Sequence, residues 1–290
     1  MINGHMIGLA ILNYNDYKTT LKLVETISCF KSIDRIAVVD NKSTDESYEK
    51  LLLAASDKIR VHVTDYNGGY SYGNNFAADI LIHDGCNILF FANPDVLFDE
   101  CFIVTIANLI HENGIAAATG LMLDSKGQKQ STVLKNSRYI DDLLGCFFIL
   151  KHFHSNTKKL KNNSGFVAVD QLSGSLFAIH ADVFREIKGF DEGVFLYCEE
   201  RIIGEKLKRK GYKMVVDTSV CFYHDHSQTI NRSLNPINKM ERLFESRLYF
   251  QKKYGSISKI KYDRLKIAMK IGINIRKIIW RIKQRWIKLF

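Results

Sequence analysis

The sequence predicts an α/β protein: a mostly parallel central sheet flanked by helices, with a helical C-terminal extension. Three observations carry this. Through the N-terminal third, short apolar runs alternate with segments of helical spacing, the mark of βαβ units. Those runs stop at Asn or Asp, and the carboxyl ends of parallel strands are where ligand-binding groups collect. The charge is segregated: of the net +10, all lies in residues 257–290, which hold eleven Lys or Arg and one acid, while the rest balances at 30 basic and 30 acidic residues. A neutral body with a basic tail is a local device for a local purpose.

The elements follow in order. MIGLAILNY (6–14) is a strand ending in polar residues, and TTLKLVETISCF (19–30) places Leu21, Val24, Ile27 and Phe30 at helical spacing. IAVVD (36–40) is a strand ending in Asp40. NKSTDES supplies turn chemistry, with Ser43 or Thr44 as cap for a helix over SYEKLLLAA. IRVHVTD (59–65) is a third strand, NGGYSYGNN (67–75) a Gly/Asn loop, FAADILIHDG (76–85) a helix closed by Gly85, and NILFFANPD (87–95) a fourth strand. Pro94 cannot donate to a ladder, so it ends that strand and presents Asp95 from a stiffened turn. LSGSLFAIHADVFREIKGFDE (172–192) reads as a strand, a helix from Ala181 to about Lys188 and a turn. FLYCEERIIGEKLKRKGY (195–212) becomes a helix ending at Gly211, and YKMVVDTSVCFYHDH (212–226) is a strand ending in two histidines. Residues 130–165 show no clear pattern. The expected division is a domain over 1–230 and an extension over 231–290.

Composition excludes several classes. At 46% hydrophobic and 25% charged, the 290 residues are ordinary globular material. The six cysteines are scattered in apolar surroundings without a CxxC pair, which fits buried reduced thiols in a cytoplasm. MINGHMIGLAILNYND is not a signal peptide, and no apolar run reaches membrane-span length. The Gly/Asn segment lacks the Gly-Lys-Ser/Thr ending of a Walker loop.

ILNYND, VVDNKSTDES, NGGYSYGNN, FFANPDV, LSGSLFAIHADVFREIKGFDEGVFLYCEE and the His224-x-x-Ser227 unit occur in that order between about Ile7 and Ser227. Together they resemble a family 2 glycosyltransferase of GT-A fold, in its bacterial rhamnosyltransferase-like branch. The resemblance implies a nucleotide-sugar-dependent enzyme that moves a sugar, with inversion, from a UDP- or dTDP-sugar to a hydroxyl of a lipid-linked saccharide in surface polysaccharide biosynthesis. It leaves the sugar unnamed and homo-oligomerisation open.

The same resemblance distributes roles. Asp40 would grip the base, with Asn13 and Tyr14 beside it, since a carboxylate accepts the N3–H of uracil or thymine. Taken alone, Asp40 also fits an Asx turn or helix cap. Asn67, Gly68, Asn75 and Asn93 would lie near the nucleotide sugar, and Gly174 would line the acceptor or donor-sugar pocket, a strand bulge being the other reading. The family's Asp-x-Asp reads Asn93-Pro94-Asp95 here. Asp95, with His224, would hold a divalent metal, Mn²⁺ or Mg²⁺, against the diphosphate. Glu199-Glu200 stands where the family has an acidic pair, usually Glu-Asp. Glu200 takes the position of the base, with Glu199 as the alternative; both also suit a helix start. Two other classes stay open: a nucleotidyltransferase, whose basic Gly-rich first loop ILNYNDYK lacks, and a non-catalytic binding protein, which Asn93 and Glu200 allow.

In the tail, Lys259, Asp263, Lys266, Lys270, Asn274, Lys277, Arg281, Arg285 and Lys288 recur at steps of three or four, a helical polar stripe. Between them lie isoleucines, Trp280 and Trp286. A basic amphipathic helix of this kind reads as one lying in an anionic membrane surface, placing the protein peripherally on the inner face of the cell membrane. A helix packed on the domain is the plainer alternative. Nucleic acid is not an expected partner, since no recognised nucleic-acid module is present.

Overall fold

The strands are β1 (Ile7–Asn13), β2 (Arg35–Asp40), β3 (Ile59–Val63), β4 (Ile88–Ala92), β5 (Val96–Leu97), β6 (Ala117–Leu123), β7 (Thr132–Val133), β8 (Thr157–Lys158), β9 (Phe166–Ala168), β10 (Leu176–His180) and β11 (Met214–His224). The helices are α1 (Tyr17–Ser28), α2 (Ser47–Leu52), α3 (Gly69–His83), α4 (Glu100–Glu112), α5 (Tyr139–Gly145), α6 (Ala181–Glu186), α7 (Glu199–Arg209), α8 (Pro236–Lys253) and α9 (Lys259–Ile287). The structure is a computed structural model that describes residues 1–112, 114–130, 132–133, 135–147, 157–158, 165–224 and 235–287.

The main sheet runs β3-β2-β1-β4-β10-β6-β11-β5, with β9 added on β11. β3, β2, β1 and β4 are parallel, as their alternation with helices predicts. β10 is antiparallel to both β4 and β6. This reversal decides the site. The start of β10 comes to the same edge as the ends of β1 to β4, and β11, parallel to β6, ends there too. The unpatterned stretch 130–165 supplies the separate β7–β8 ladder and α5; much of it lies outside the described residues.

Period-2 alternation fills both faces of the sheet. Ile7, Leu9 and Ile11 pack with Leu23 and Val24 of α1 and Phe102 and Ile106 of α4. Ala10 faces the other way, among Ala77 and Leu81 of α3, Phe184 of α6 and Leu207 of α7.

Three local expectations need correction. Residues Gly69–Asn75 are not a loop but the first turns of α3. Tertiary contacts override the low helix propensity of Gly and Asn there, Gly73 packing directly on Leu12. Neither Ser43 nor Thr44 caps α2: Glu46 is its N-cap, and Asp45 accepts from the amide of Ser47 at 3.0 Å. Cys86 and Cys146 are buried, but Cys29, Cys101 and Cys221 are exposed, so burial is not what the thiols share.

The expected boundary at 230/231 falls outside the described residues. Beyond it, α8 starts in the manner its sequence dictates, with Pro236 in the first turn and Asn235 capping the amide of Asn238 at 2.9 Å. α8 is clamped to the body. Ser246 Oγ donates to the Leu196 carbonyl (2.7 Å), Tyr249 Oη to Asp191 (2.8 Å) and Gln251 Nε2 to Asp142 (2.6 Å).

α9 has three faces. Leu265, Ala268 and Met269 are buried against Phe244 of α8 and Cys146. Lys266, Lys270, Lys277 and Arg281 share a second face by their spacing. Ile260, Ile267, Ile271, Ile275, Ile278 and Ile282, at matching steps, form a third that the body leaves exposed, 60% at Ile267 and 56% at Ile278. One face of α9 is thus packed on α8 and Cys146, and another is open. The side chains of Arg285, Trp286 and Lys288 lie outside the described residues.

Candidate functional site

Asn13 and Asp40 end adjacent strands in register. Asn13 Nδ2 donates to Asp40 Oδ1 at 2.7 Å, and its Oδ1 accepts from Thr20 Oγ1 at 2.7 Å. Ser43 donates to Asp40 twice, from its hydroxyl (2.6 Å) and its amide (2.9 Å). Asp40 therefore forms the Asx turn that its residue type allows, and Asn13, fully buried, supports it. Three of about four carboxylate acceptor sites are used, which leaves one for a ligand. Tyr14 is half-buried beside them. Asn15 laces the two loops together, its amide donating to Ser43 Oγ (2.8 Å) and its Oδ1 accepting from Thr44 N (2.8 Å).

Past β3, Asn67 Oδ1 accepts from Asn41 Nδ2 (3.0 Å) and from the amide of Gly69 (3.1 Å). Gly69, at φ +84°, lies against the Phe195 carbonyl, where a Cβ would collide, and Tyr70 N donates to that carbonyl at 3.0 Å. A Cβ on Gly68 would meet the Tyr72 ring. Asn75 faces the Gly-Phe-Asp-Glu turn: its Nδ2 donates to the Phe190 carbonyl (3.1 Å) and Glu192 (2.8 Å), and its Oδ1 accepts from Phe190 N (2.8 Å). The Gly/Asn segment thus joins Asn41, just past Asp40, to the acidic loop around Phe190 and Glu192, with Asn75 on the loop side.

After β4, Asn93 N donates to the Ser175 carbonyl (2.8 Å), tying the Asn-Pro-Asp turn to the start of β10. Asp95 meets His224 because β5 pairs with the end of β11, Val96 opposite His224. Asp95 Oδ1 and His224 Nε2 lie 3.2 Å apart on side chains 12% and 8% exposed. A carboxylate and an imidazole converging at this edge fit a divalent cation in part. Among the described residues no group of three or more His, Cys, Asp or Glu could hold a metal alone. Two protein ligands suit an ion whose remaining positions go to phosphate and water. Asp225, His226 and Ser227 lie outside the described residues.

Tyr197 (φ +72°) and Cys198 (φ +68°) are consecutive left-handed residues immediately before Glu199-Glu200, and neither is glycine. Such strain is concentrated where a function requires it. It turns the chain into α7, whose first two residues are Glu199 and Glu200. Gly174 is the close neighbour: a Cβ there would sit 2.6 Å from Glu200 Oε1, and Tyr70 Oη donates to the Gly174 carbonyl at 2.7 Å. Glu199 is 5% exposed, and its Oε1 has no hydrogen-bond partner among the described residues. Burial, then the charge of Glu200, push the Glu199 carboxyl up to about 8. Burial also raises Glu200, and backbone amides, including that of Gly174, oppose the rise. A base needs a raised pKa of this kind to be effective near neutrality. Nearby, burial opposes the ionisation of Asp191, but hydrogen bonds from Lys253, Tyr254, Gly193 and Tyr249 hold it at about 2.

The Glu199 shift has a stability consequence. Its folded pKa lies above the unfolded value, so its contribution is full below the unfolded value of 4.5 and is lost as pH rises through about 8. Glu199→Gln is therefore expected to gain several degrees of melting temperature over the wild type between pH 5 and pH 9, measured by calorimetry across that range. A gap that does not widen with pH would refute the buried, raised carboxyl.

Thr20, Asn41, Ser43, Thr64 and Tyr70 also build the site, and sequence reading missed them as supports. Thr64 Oγ1 donates to Asn41 Oδ1 at 3.2 Å. Their signal was position: Asn41, Ser43 and Thr64 lie just past strand ends, among residues with turn chemistry, and Tyr70 stands in the Gly/Asn segment that opens α3.

Comparison with known proteins bears on this geometry. The family described as Glycosyl transferase family 2 matches residues 9–187. Rhamnosyltransferase WbbL of Escherichia coli (strain K12) is 23% identical over 222 residues, 72% of this chain and 79% of that protein. The mannosyltransferase PcManGT from Pyrobaculum calidifontis, solved with GDP-Man and Mn²⁺, superposes with TM-score 0.59 at 12% identity, covering 92% of this chain and 73% of its own. GalNAc-T7, solved with UDP, GalNAc and Mn²⁺, has TM-score 0.59 at 15% identity, covering 97% and 58%. S. aureus TarS 1–349, solved with UDP-GlcNAc, has TM-score 0.59 at 12% identity, covering 92% and 72%. The chain shares the GT-A fold of these structures.

Proposed function

The chain belongs to glycosyl transferase family 2 and is a glycosyltransferase, and from that premise we propose that it moves a sugar, with inversion, from a UDP- or dTDP-sugar to a hydroxyl of a lipid-linked saccharide in surface polysaccharide synthesis. The observation that carries this reading is the gathering of Asp40, the Asp95–His224 pair and Glu199-Glu200 at one sheet edge.

Asp40, held by Asn13 and Ser43, accepts the N3–H of the base through its remaining lone pair, with Tyr14 beside it. Asn67, Gly68 and Asn93 border the nucleotide sugar, and Asn75 acts from the far side by fixing the acidic loop. Asp95 and His224 hold a divalent cation, Mn²⁺ or Mg²⁺, which when bound supplies Lewis-acid stabilisation to the diphosphate. Glu200, set against Gly174, takes the proton of the acceptor hydroxyl. That oxygen bonds to the anomeric carbon from the face opposite the diphosphate, whose bond to the sugar breaks.

The test is a thermal-shift panel of UDP, dTDP, GDP and ATP, each with and without Mn²⁺, on the wild type and Asp95→Ala. A ligand of the native state raises the melting temperature by mass action. A metal-dependent shift with UDP or dTDP is expected, and it should vanish in Asp95→Ala. No shift with any nucleotide would overturn the donor site. Asn93 and Glu200, which depart from the family's usual residues, favour a second reading, a nucleotide-sugar-binding protein without turnover; a shift with no transfer would establish it.

The open face of α9 supports a peripheral place on an anionic membrane. Among the described residues no helix is long and apolar enough to cross one. Isoleucines flanked by a basic row instead suit a helix lying in the surface, each basic residue contributing about 1 kcal/mol. This matches a lipid-linked acceptor.

A further inference from the structure

We propose that the cavity between the start of α8 and the end of α9 binds the phosphate headgroup of a membrane lipid. The inference rests on the membrane reading of α9 and adds a site to it. The cavity is open to solvent on one side, has a volume of about 180 Å³ and is lined by Asn235, Ile237, Asn238, Lys277, Trp280 and Arg281. This is well below the size of pockets that enclose a drug-sized ligand, about 300–1,000 Å³. A groove of this size suits a phosphate group better than a whole nucleotide sugar.

The lining has the chemistry for it. The Arg281 guanidinium can engage two phosphate oxygens, and the Lys277 ammonium adds a point charge. Glu241 holds Lys277 at 2.6 Å, so a phosphate shares that ammonium with a carboxylate and Arg281 is the principal anchor. Asn235 and Asn238 bring side-chain amide donors. Trp280, 40% exposed, offers an apolar ring with one N–H, the amphipathic group that sits at headgroup depth.

The position is as telling as the lining. Lys277 and Arg281 each precede an exposed isoleucine, Ile278 and Ile282. A lipid whose phosphate occupies the cavity finds the open apolar stripe on the adjoining helix face for its chain. In the other direction, α8 leads from the cavity to the acidic loop. Ile237 lines the cavity and Ser246 bonds Leu196, nine residues or about 13 Å of helix further on. α8 thus runs from the cavity to the segment that leads into Glu199 and Glu200.

The test uses the full chain carrying Trp286→Phe, so that Trp280 is the sole tryptophan. It is titrated with phosphatidylcholine vesicles alone, with vesicles carrying phosphatidylglycerol, with vesicles carrying a prenyl diphosphate at matched charge, and with soluble pyrophosphate. Both anionic vesicles should shift Trp280 emission to the blue. Preference for the prenyl diphosphate would identify the lipid as an acceptor's carrier, and equal or better binding of phosphatidylglycerol would identify a bulk phospholipid. Lys277→Gln/Arg281→Gln should weaken binding at least about tenfold beyond Lys266→Gln/Lys270→Gln, which removes the same charge from the same helix. Equal losses in the two double variants, or pyrophosphate binding as tightly as either anionic vesicle, would overturn the site. The nucleotide panel, run on the same preparations, reports the donor site separately, so failure of one reading is distinguishable from failure of the other.

Discussion

Glu200→Gln is expected to lower the turnover number about 10²- to 10⁴-fold, the usual contribution of a positioned base, while leaving the nucleotide thermal shift unchanged. The amide keeps the shape of the side chain beside Gly174, where a Cβ would already lie 2.6 Å from Glu200 Oε1, so the fold has no reason to respond. Only the capacity to take a proton is lost. Glu199→Gln is the informative partner. Glu199 is the deeper of the two, with burial and the neighbouring charge holding it up at about 8. Removing its carboxylate also removes a like charge beside Glu200, so the apparent pKa of the rate profile should fall while most activity survives. Because the two carboxyls titrate as a pair, the profile belongs to both until these variants divide it. Loss of transfer in Glu199→Gln with full activity in Glu200→Gln would move the base to Glu199.

Arg201→Met should produce the largest stability loss, about 3–5 kcal/mol, the usual result of stranding one partner of a buried ion pair. Arg201 and Asp142 are both almost completely buried. The guanidinium contacts Asp142 at 2.9 and 3.2 Å and stacks 3.8 Å from the centre of the Phe250 ring. Gln251 donates to the same carboxylate at 2.6 Å, and Arg247 lies 3.6 Å away. The pair therefore joins α5, α7 and α8 directly behind Glu199-Glu200. Without Arg201, the Asp142 carboxylate keeps, among the described residues, Gln251 and the more distant Arg247. The double variant Asp142→Leu/Arg201→Met removes both charges and should recover most of the loss, because well-packed apolar groups often replace a buried pair without cost. Urea unfolding of the two variants decides the matter; a single variant no less stable than the double would show that the buried charge is not what holds the helices together.

Local periodicity and residue type determined much of this protein. β1 to β4 lie within one to three residues of the runs that predicted them, because a buried parallel strand leaves a continuous apolar run that needs no partner to be recognised. Asn13 and Asp40 end β1 and β2, and Asn67 and Asp95 follow the ends of β3 and β4 within four residues. The ten surplus charges of the tail and its stripe of three and four steps foretold α9.

Tertiary structure decided what those residues meet. Nothing in LSGSLFAIH says that β10 runs backward between β4 and β6, yet that reversal puts Gly174 at the site. Asp95 and His224 are far apart in the chain and meet only because β5 pairs with β11. Asn13 became a support once Thr20, Ser43 and Asp40 used its amide, and Gly69–Asn75 became helix once the chain around Leu12 and Phe195 covered it. Likewise α8, read from sequence as part of an appendage, is fixed to Asp191, Leu196 and Asp142. The physical reason is common to all of these. Periodicity reports which face of an element avoids water, a property of neighbours in the chain. Pairing partners and hydrogen-bond acceptors are chosen by the whole fold, where buried polar groups must find partners wherever the packing brings them.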